Sequence, residues 1–310
     1  MLFNYGVDIM KTMKDVISFV AAKTNVIKVV NMNDGSMQTV VAGPRIDTEA
    51  QRGHIAFLKE SVVRKDSSRF MNFKGTVLLV PKGFCYDASG VQFGYIICDD
   101  PKLAMAELIY KFYSHRVETQ FNINEDYFAG HEFERSPGVK IGPRVAIDNF
   151  CSVGPNSVIA NCFIGNNVTI GANCTIGMPG FGFVKNKDGE WIRFPHIGRV
   201  VIEDNVHIGS NVTIDRGALG NTILKENCCI DNFVHVAHNV QIGYRTQVAN
   251  SMIGGSTKIG DDCWIGSGTN FRNGLVMGNN SMTGVGANVV KDIESDIIVT
   301  GNPAKKFGDR

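Results

Sequence analysis

From about position 141 onward an isoleucine or valine returns at every sixth residue, and that period excludes most ways of folding the chain. The series runs Ile141, Ile147, Val153, then Ile164, Ile170, Ile176. It resumes at Ile202, Ile208, Ile214 and at Ile230, Val236, Ile242, Val248. A last run holds Ile253, Ile259 and Ile265, with Phe271 and Met277 keeping the register. An α-helix repeats every ~3.6 residues and a strand every ~2, so neither produces this spacing. A left-handed parallel β-helix does. Each hexad forms one side of a triangular coil, the aliphatic residue points inward, and the small or turn-forming residues after it make the corner.

The repeat covers only part of the 310 residues. Residues 1–130 lack it and read as a small α/β domain. Asp8 to Lys23 places Ile9, Met13, Val16 and Val20 on one helical face. Short strands are expected at Val26–Val30, Thr39–Val41, Ile55–Leu58, Val77–Val80 and Gly94–Cys98. A second helix is expected over Pro101–Phe112, opened by Asp99-Asp100-Pro101. The β-helix domain spans 131–300, and 301–310 reads as a C-terminal tail. Two interruptions break the hexads. One runs from about Gly177 to Val201 and carries GFGF (180–183), Trp191 and Pro195; the other is DRGALGNT (215–222). Loops extruded at the corners of a solenoid tend to carry function.

Composition removes several function classes. A formal charge of +1 gives no electrostatic reason for a nucleic-acid partner. No segment approaches the ~20 apolar residues of a membrane span. The opening MLFNYGVDIMKTMKD has charges where a signal peptide needs an apolar stretch, so a cytoplasmic location is expected. Of eight cysteines, Cys151, Cys174, Cys228 and Cys263 share the small-residue slot four after the aliphatic position, and no CxxC spacing occurs. They read as reduced packing residues, with no metal site expected.

Several strings then carry a resemblance: FGF (181–183), Trp191, Pro195, GRV (198–200), IEDNVHIGSNVTIDRGALGNT (202–222), IDNFVHVAHNVQIG (230–243) and GGSTKIG (254–260). Together they resemble the UDP-3-O-acylglucosamine N-acyltransferase family of lipid A assembly, and its relatives that acylate other nucleotide-linked amino sugars. The likeness covers roughly residues 45–290 and reaches the first domain at Gly53-His-Ile-Ala-Phe-Leu58 and Cys98-Asp-Asp-Pro101. The departures point to a relative. Lys59-Glu60-Ser61-Val62-Val63 stands where the lipid A enzyme carries an Asn-Pro-x-Tyr uracil clamp. Asn273-Gly274-Leu275 lacks the histidine that follows that family's Asn-Gly pair. The helices associated with acyl carrier protein binding are not seen, and Gly301-Asn302-Pro303-Ala304-Lys305 resembles the ending of CoA-dependent hexapeptide acyltransferases. The resemblance thus implies a cytoplasmic homotrimer with no bound cofactor, taking acyl-CoA as cosubstrate and a nucleotide-linked amino sugar as acceptor. The lipid A enzyme itself, with an acyl carrier protein donor, is the alternative.

N-acylation needs one base near the attacking amine, and imidazole suits that task. His238 lies at a corner and matches the family's catalytic histidine within AHN. Asp231, seven residues earlier, either orients that imidazole or fills the second slot of its hexad. His235 reads as a wall residue. Counting hexads stacks His238 over Gly255 and then Asn273. The glycine leaves room for the ring, and its N–H is a candidate oxyanion donor. In the first domain Phe57 either stacks on a base or packs in its apolar strand, and Lys59 either meets a phosphate or is solvated. Lys305 has the same two readings toward the phosphates of CoA. Among other classes, a γ-carbonic-anhydrase-like metalloenzyme needs three imidazoles on one ion, for which His207, His235 and His238 are poorly spaced. A non-catalytic trimeric scaffold has no need of DRGAL or AHN. Acylation of a hydroxyl is the remaining variant within the transferases.

Overall fold

The computed structural model describes residues 13–23, 26–30, 43–44, 54–58, 77–82, 84, 94–113 and 127–310. The strand expected at Thr39–Val41 and residue Lys59 lie outside them. The chain forms two compact units: Met1–Glu118 with Gly182–Pro195, and Thr119–Phe181 with His196–Arg310.

In the first unit, helix α1 (Met13–Lys23) and helix α2 (Pro101–Phe112) accompany a five-stranded sheet. Its order is Val26–Val30, Gly94–Cys98, Val77–Val80, His54–Phe57, Gly43–Pro44, and only the first pair is antiparallel. Val77–Val80 is wholly buried, as a continuous apolar run flanked by parallel partners should be. Asp100 caps α2, its carboxylate accepting the Lys102 and Leu103 N–H groups at 3.0 and 2.9 Å, with Pro101 at the first helical position.

The first interruption contributes to this unit rather than to the solenoid. Phe183–Lys185 and Trp191–Arg193 pair as an antiparallel hairpin. The Lys102 ammonium donates to the Phe183 carbonyl at 2.6 Å, and the Tyr110 hydroxyl to that of Arg193 at 2.9 Å. The sequence marks the interruption but not its destination, because the residues of α2 that receive it lie some eighty positions earlier.

The second unit is a parallel β-solenoid of three sheets, one ten-stranded and two eight-stranded, the fold class the six-residue period predicts. The inward column of one face reads Ile141, Ile159, Ile176, Ile214, Val236, Ile253, Phe271, Val289, each paired with the next coil. All are buried, at about 1.5–3 kcal/mol for each aliphatic side chain. The slot-sharing cysteines are buried beside them, and desolvation pushes their thiols up. Corners turn through left-handed residues, with Asn at positions such as Asn167, Asn205, Asn227 and Asn239, since asparagine tolerates that region best after glycine. The segment expected as a tail is ordered: Lys305–Asp309 pairs antiparallel with Ile297–Thr300 on the ten-stranded sheet. Among the described residues, no helix is long and apolar enough to cross a membrane.

Candidate active site

The two eight-stranded faces, one carrying His235 and the other Gln241, meet at a corner where both extruded segments leave the coil. His238 sits on that corner, between the strands His235–Val236 and Gln241–Ile242. It lines a groove of about 300 Å³ with Phe181, Asp215, His235, Met252, Gly255 and Asn273.

Three features fix the imidazole. Asn239, the left-handed residue of the corner, accepts the Ala218 N–H through its Oδ1 at 2.9 Å. That bond sets which end of the amide is oxygen, and the same Oδ1 stands 3.2 Å from His238 Nδ1. Nδ1 is therefore the protonated nitrogen, and Nε2 carries the lone pair. Second, a methyl group at Gly255 would lie 2.9 Å from both Nε2 and Cε1, so only glycine admits the ring there. Third, His196, 2% exposed, packs edge-on against His238 with centroids 5.2 Å apart.

The carboxylate of the groove is Asp215, 8% exposed, with Oδ2 3.9 Å from His235 Nε2. A methyl group at Gly180 would meet Asp215 Oδ2 at 2.8 Å and His238 Cδ2 at 3.1 Å, so carboxylate and imidazole flank one glycine. The next residue, Arg216, is fully buried, and its Nε donates to the Gly198 carbonyl at 2.7 Å. Desolvation and the charges of Arg144 and Arg199 lower its pKa. It ties down the base of the DRGAL loop.

The structure brings together His238, Gly255 and Asn273, as the hexad count requires, and leaves other sequence candidates elsewhere. Asp231 is on a different corner; its carboxylate accepts the Asn232 side-chain amide at 3.3 Å and the Asn250 N–H at 3.4 Å. The seven-residue spacing from His238 exceeds one hexad, which carries Asp231 onto the preceding corner. The Gly255 N–H is engaged by Asn273 Oδ1 at 3.0 Å, so it is not held ready for an oxyanion. Leu275, where the family has its second histidine, is buried in the solenoid core. In the first unit Phe57 is half-buried and its ring packs on Phe194, centroids 5.8 Å apart. Lys305 is exposed and belongs to the C-terminal strand rather than the groove. Among the described residues no group of three or more His, Cys, Asp or Glu could hold a metal ion. His207 leaves the ten-stranded face, while His235 leaves an eight-stranded one.

Sequence reasoning missed Asp215, Asn239 and His196 as parts of this site. For the first two a signal was present, since DRGAL adds residues to its corner and AHN couples the histidine to a left-handed asparagine. For His196 there was none. A second hollow of about 440 Å³ lies by Arg245, Trp264 and Arg310. Its arginines are committed, Arg245 to Asp262 at 2.7 and 2.8 Å and Arg310 to the Asp262 and Ser281 carbonyls.

No protein-family model matches the chain. Among individual relatives, a Coxiella burnetii protein named UDP-3-O-acylglucosamine N-acyltransferase is 31% identical over 235 residues, covering 67% of this chain and 67% of its own. A Caulobacter sp. protein of the same name is 41% identical over 152 residues, 48% of this chain and 44% of its own. One from Hydrogenovibrio crunogenus is 48% identical over 96 residues, 31% of this chain and 27% of its own. The chain thus matches less than half the length of the last two. A solved UDP-N-acetylglucosamine acyltransferase from Bacteroides fragilis superimposes with a TM-score of 0.54 at 26% identity, over 60% of this chain and 72% of that one. The counterpart from Campylobacter jejuni, at 19% identity and a TM-score of 0.53 over 59% and 70% of the two chains, shares the fold.

Proposed function

Because the chain belongs to the UDP-3-O-acylglucosamine N-acyltransferase family of hexapeptide-repeat acyltransferases, we propose that it transfers an acyl group from a thioester to the amine of a nucleotide-linked amino sugar. The reaction serves lipopolysaccharide or surface-polysaccharide synthesis. The observation that carries this reading is the state of His238: Nδ1–H is spent on Asn239 Oδ1, leaving Nε2 as a neutral base in the groove. As the amine nitrogen bonds to the thioester carbonyl carbon, Nε2 takes a proton from nitrogen. The tetrahedral intermediate then collapses with loss of the C–S bond, and the imidazolium returns the proton to sulfur.

Acyl-CoA is the proposed donor, on the strength of the Gly301–Lys305 string. The acceptor's nucleotide end is assigned to the first unit, and the working assembly is a homotrimer. Outward side chains on the solenoid faces, Phe163, Met252, Trp264 and Val276, give such an assembly apolar surface to bury.

The test is a mass-spectrometric screen of UDP- and dTDP-linked amino sugars against short-chain acyl-CoAs and carrier-bound acyl groups, run on wild type and His238→Asn. A base contributes roughly 10²- to 10⁴-fold, so His238→Asn should lose that much in kcat while acceptor KM stays near wild type. A folded His238→Asn protein with wild-type kcat removes the base from the mechanism. Turnover with the carrier-bound donor exceeding that with CoA thioesters reverses the donor assignment.

A further inference from the structure

The groove around His238 has a definite charge character. Among the described residues that line it, Asp215 is the carboxylate and none is a lysine or arginine. At 8% exposure Asp215 is largely withdrawn from water. An ionised carboxylate in that position favours a cation or strong hydrogen-bond donor brought to it by a ligand. His235 Nε2, at 3.9 Å, stands outside hydrogen-bond range. Arg216 points its Nε away, to the Gly198 carbonyl. Gly180 matters here because its missing side chain keeps the space between Asp215 Oδ2 and the His238 ring open.

We propose, on the acyl-transfer reading above, that Asp215 is the subsite that receives the acceptor's amine as an ammonium group. An aliphatic amine is substantially protonated near neutral pH. As an ammonium it cannot attack a carbonyl, so it must be captured charged and then deprotonated in place. A nitrogen hydrogen-bonded to Oδ2 lies beside His238. The ammonium gives one proton to His238 Nε2, which passes it to solvent and returns to the neutral form. The freed amine then attacks the thioester. Its second proton goes to the same Nε2 as the N–C bond forms, and from there to sulfur as the C–S bond breaks. Ammonium and thioester are consumed; amide, thiol and one proton are produced. This division of labour gives the groove a preference for an amine over a hydroxyl at the same sugar carbon.

The experiment measures binding without any donor, by calorimetry, using UDP-glucosamine and UDP-glucose as an amine–hydroxyl pair. Wild type should bind UDP-glucosamine more tightly, and Asp215→Asn should lose most of that preference, about ten- to a hundredfold for a charge-assisted contact. UDP-glucose affinity should change little. Asp215→Glu should restore part of the discrimination, which a merely structural role does not predict, and circular dichroism checks that both variants are folded. If Asp215→Asn keeps the preference and loses only kcat, the residue orients the catalytic imidazole and the ammonium subsite is overturned, with the acyltransferase reading intact. Equal wild-type affinity for the two sugars overturns it as well. Failure of wild type to bind either sugar, or to acylate any amino sugar in the screen, removes the nucleotide-sugar reading and the subsite with it.

Discussion

Two corners of the same solenoid are built from the same device and used differently. Where the Gln241 face turns into the ten-stranded face, each coil offers a side-chain oxygen to the backbone or side chain of the coil below. Asp204 accepts the Asn166 N–H at 2.8 Å, Asp261 the Tyr244 N–H at 2.8 Å, and Asn279 the Asp261 N–H at 2.9 Å. Asn167 donates to Asn205, and Asn280 to Asp296. These ladders do nothing but join coils. At the corner bearing His238 the ladder persists, with Asn273 accepting from Gly255 and Asn239 from Ala218. There the Asn239 acceptor is shared with an imidazole, and the chain has left the coil to insert Asp215 and the residues after it. A functional site has been obtained from a structural corner by sharing one acceptor and deleting side chains beside it.

A matched pair of glycine substitutions should separate the two uses most sharply. Gly255→Ala places a methyl group 2.9 Å from His238 Nε2. The ring must swing away, and kcat should fall about a hundredfold, as misplacement of a reacting group by ~1 Å can do. Global stability should drop by only ~1 kcal/mol, since a single side chain yields. Gly260→Ala on the plain corner puts its methyl group 2.3 Å from Asn279 Oδ1 and breaks a ladder bond. Its effect should be confined to stability, about 1–3 kcal/mol for an acceptor displaced from its donor. Chemical denaturation and steady-state kinetics on both variants check this, and a drop in kcat for Gly260→Ala would mean that the corners are not independent.

The same contrast explains what could be read from the sequence. The aliphatic column is a periodic property, so Ile141 through Phe271 declared the solenoid and its register, including His238 above Gly255 and Asn273. The site depends on where the period fails. The stretch 215–222 could be recognised as an insertion, but not as the source of a groove carboxylate, because an interrupted repeat no longer says which way a side chain points. Asp231 looked the better partner only because it kept the period. His196 was invisible for a simpler reason. It follows a fourteen-residue excursion into the first unit, and nothing local relates it to a histidine forty-two positions later.

Surface chemistry offers a second, smaller test of the inward–outward alternation, away from both corners. Cys228 and Cys229 are neighbours, the first fully buried and the second exposed. Burial, with the charges of Cys229 and Glu203 adding to it, pushes the Cys228 thiol up. Under native conditions a maleimide should modify Cys229 at least tenfold faster than Cys228, since the thiolate is the nucleophile and access is required. Peptide mapping reads the ratio, and comparable labelling would show that the wall opens there.

The smallest expected effect is the most pointed comparison of the two corners, because it removes the same side chain from each. Asn205 and Asn239 both hold left-handed backbone, with φ of 58° and 62°. Glycine adopts that region freely, so Asn→Gly leaves the turn intact and isolates what each side chain does. At Asn205 it removes exposed hydrogen bonds to Asn167 and Glu226. Stability should move by no more than about 0.5 kcal/mol, as for most exposed positions, and activity should not change. At Asn239 it removes the acceptor for Ala218 N–H and His238 Nδ1. The imidazole then divides between tautomers and orientations, and kcat should fall roughly tenfold, within the range seen when a partner that orients a histidine is lost. Acceptor KM should hold, because Asn239 is not among the residues lining the groove. Equal kcat for the two variants would mean that the shared acceptor contributes only to the turn, and that His238 is held by Gly255 and His196 alone.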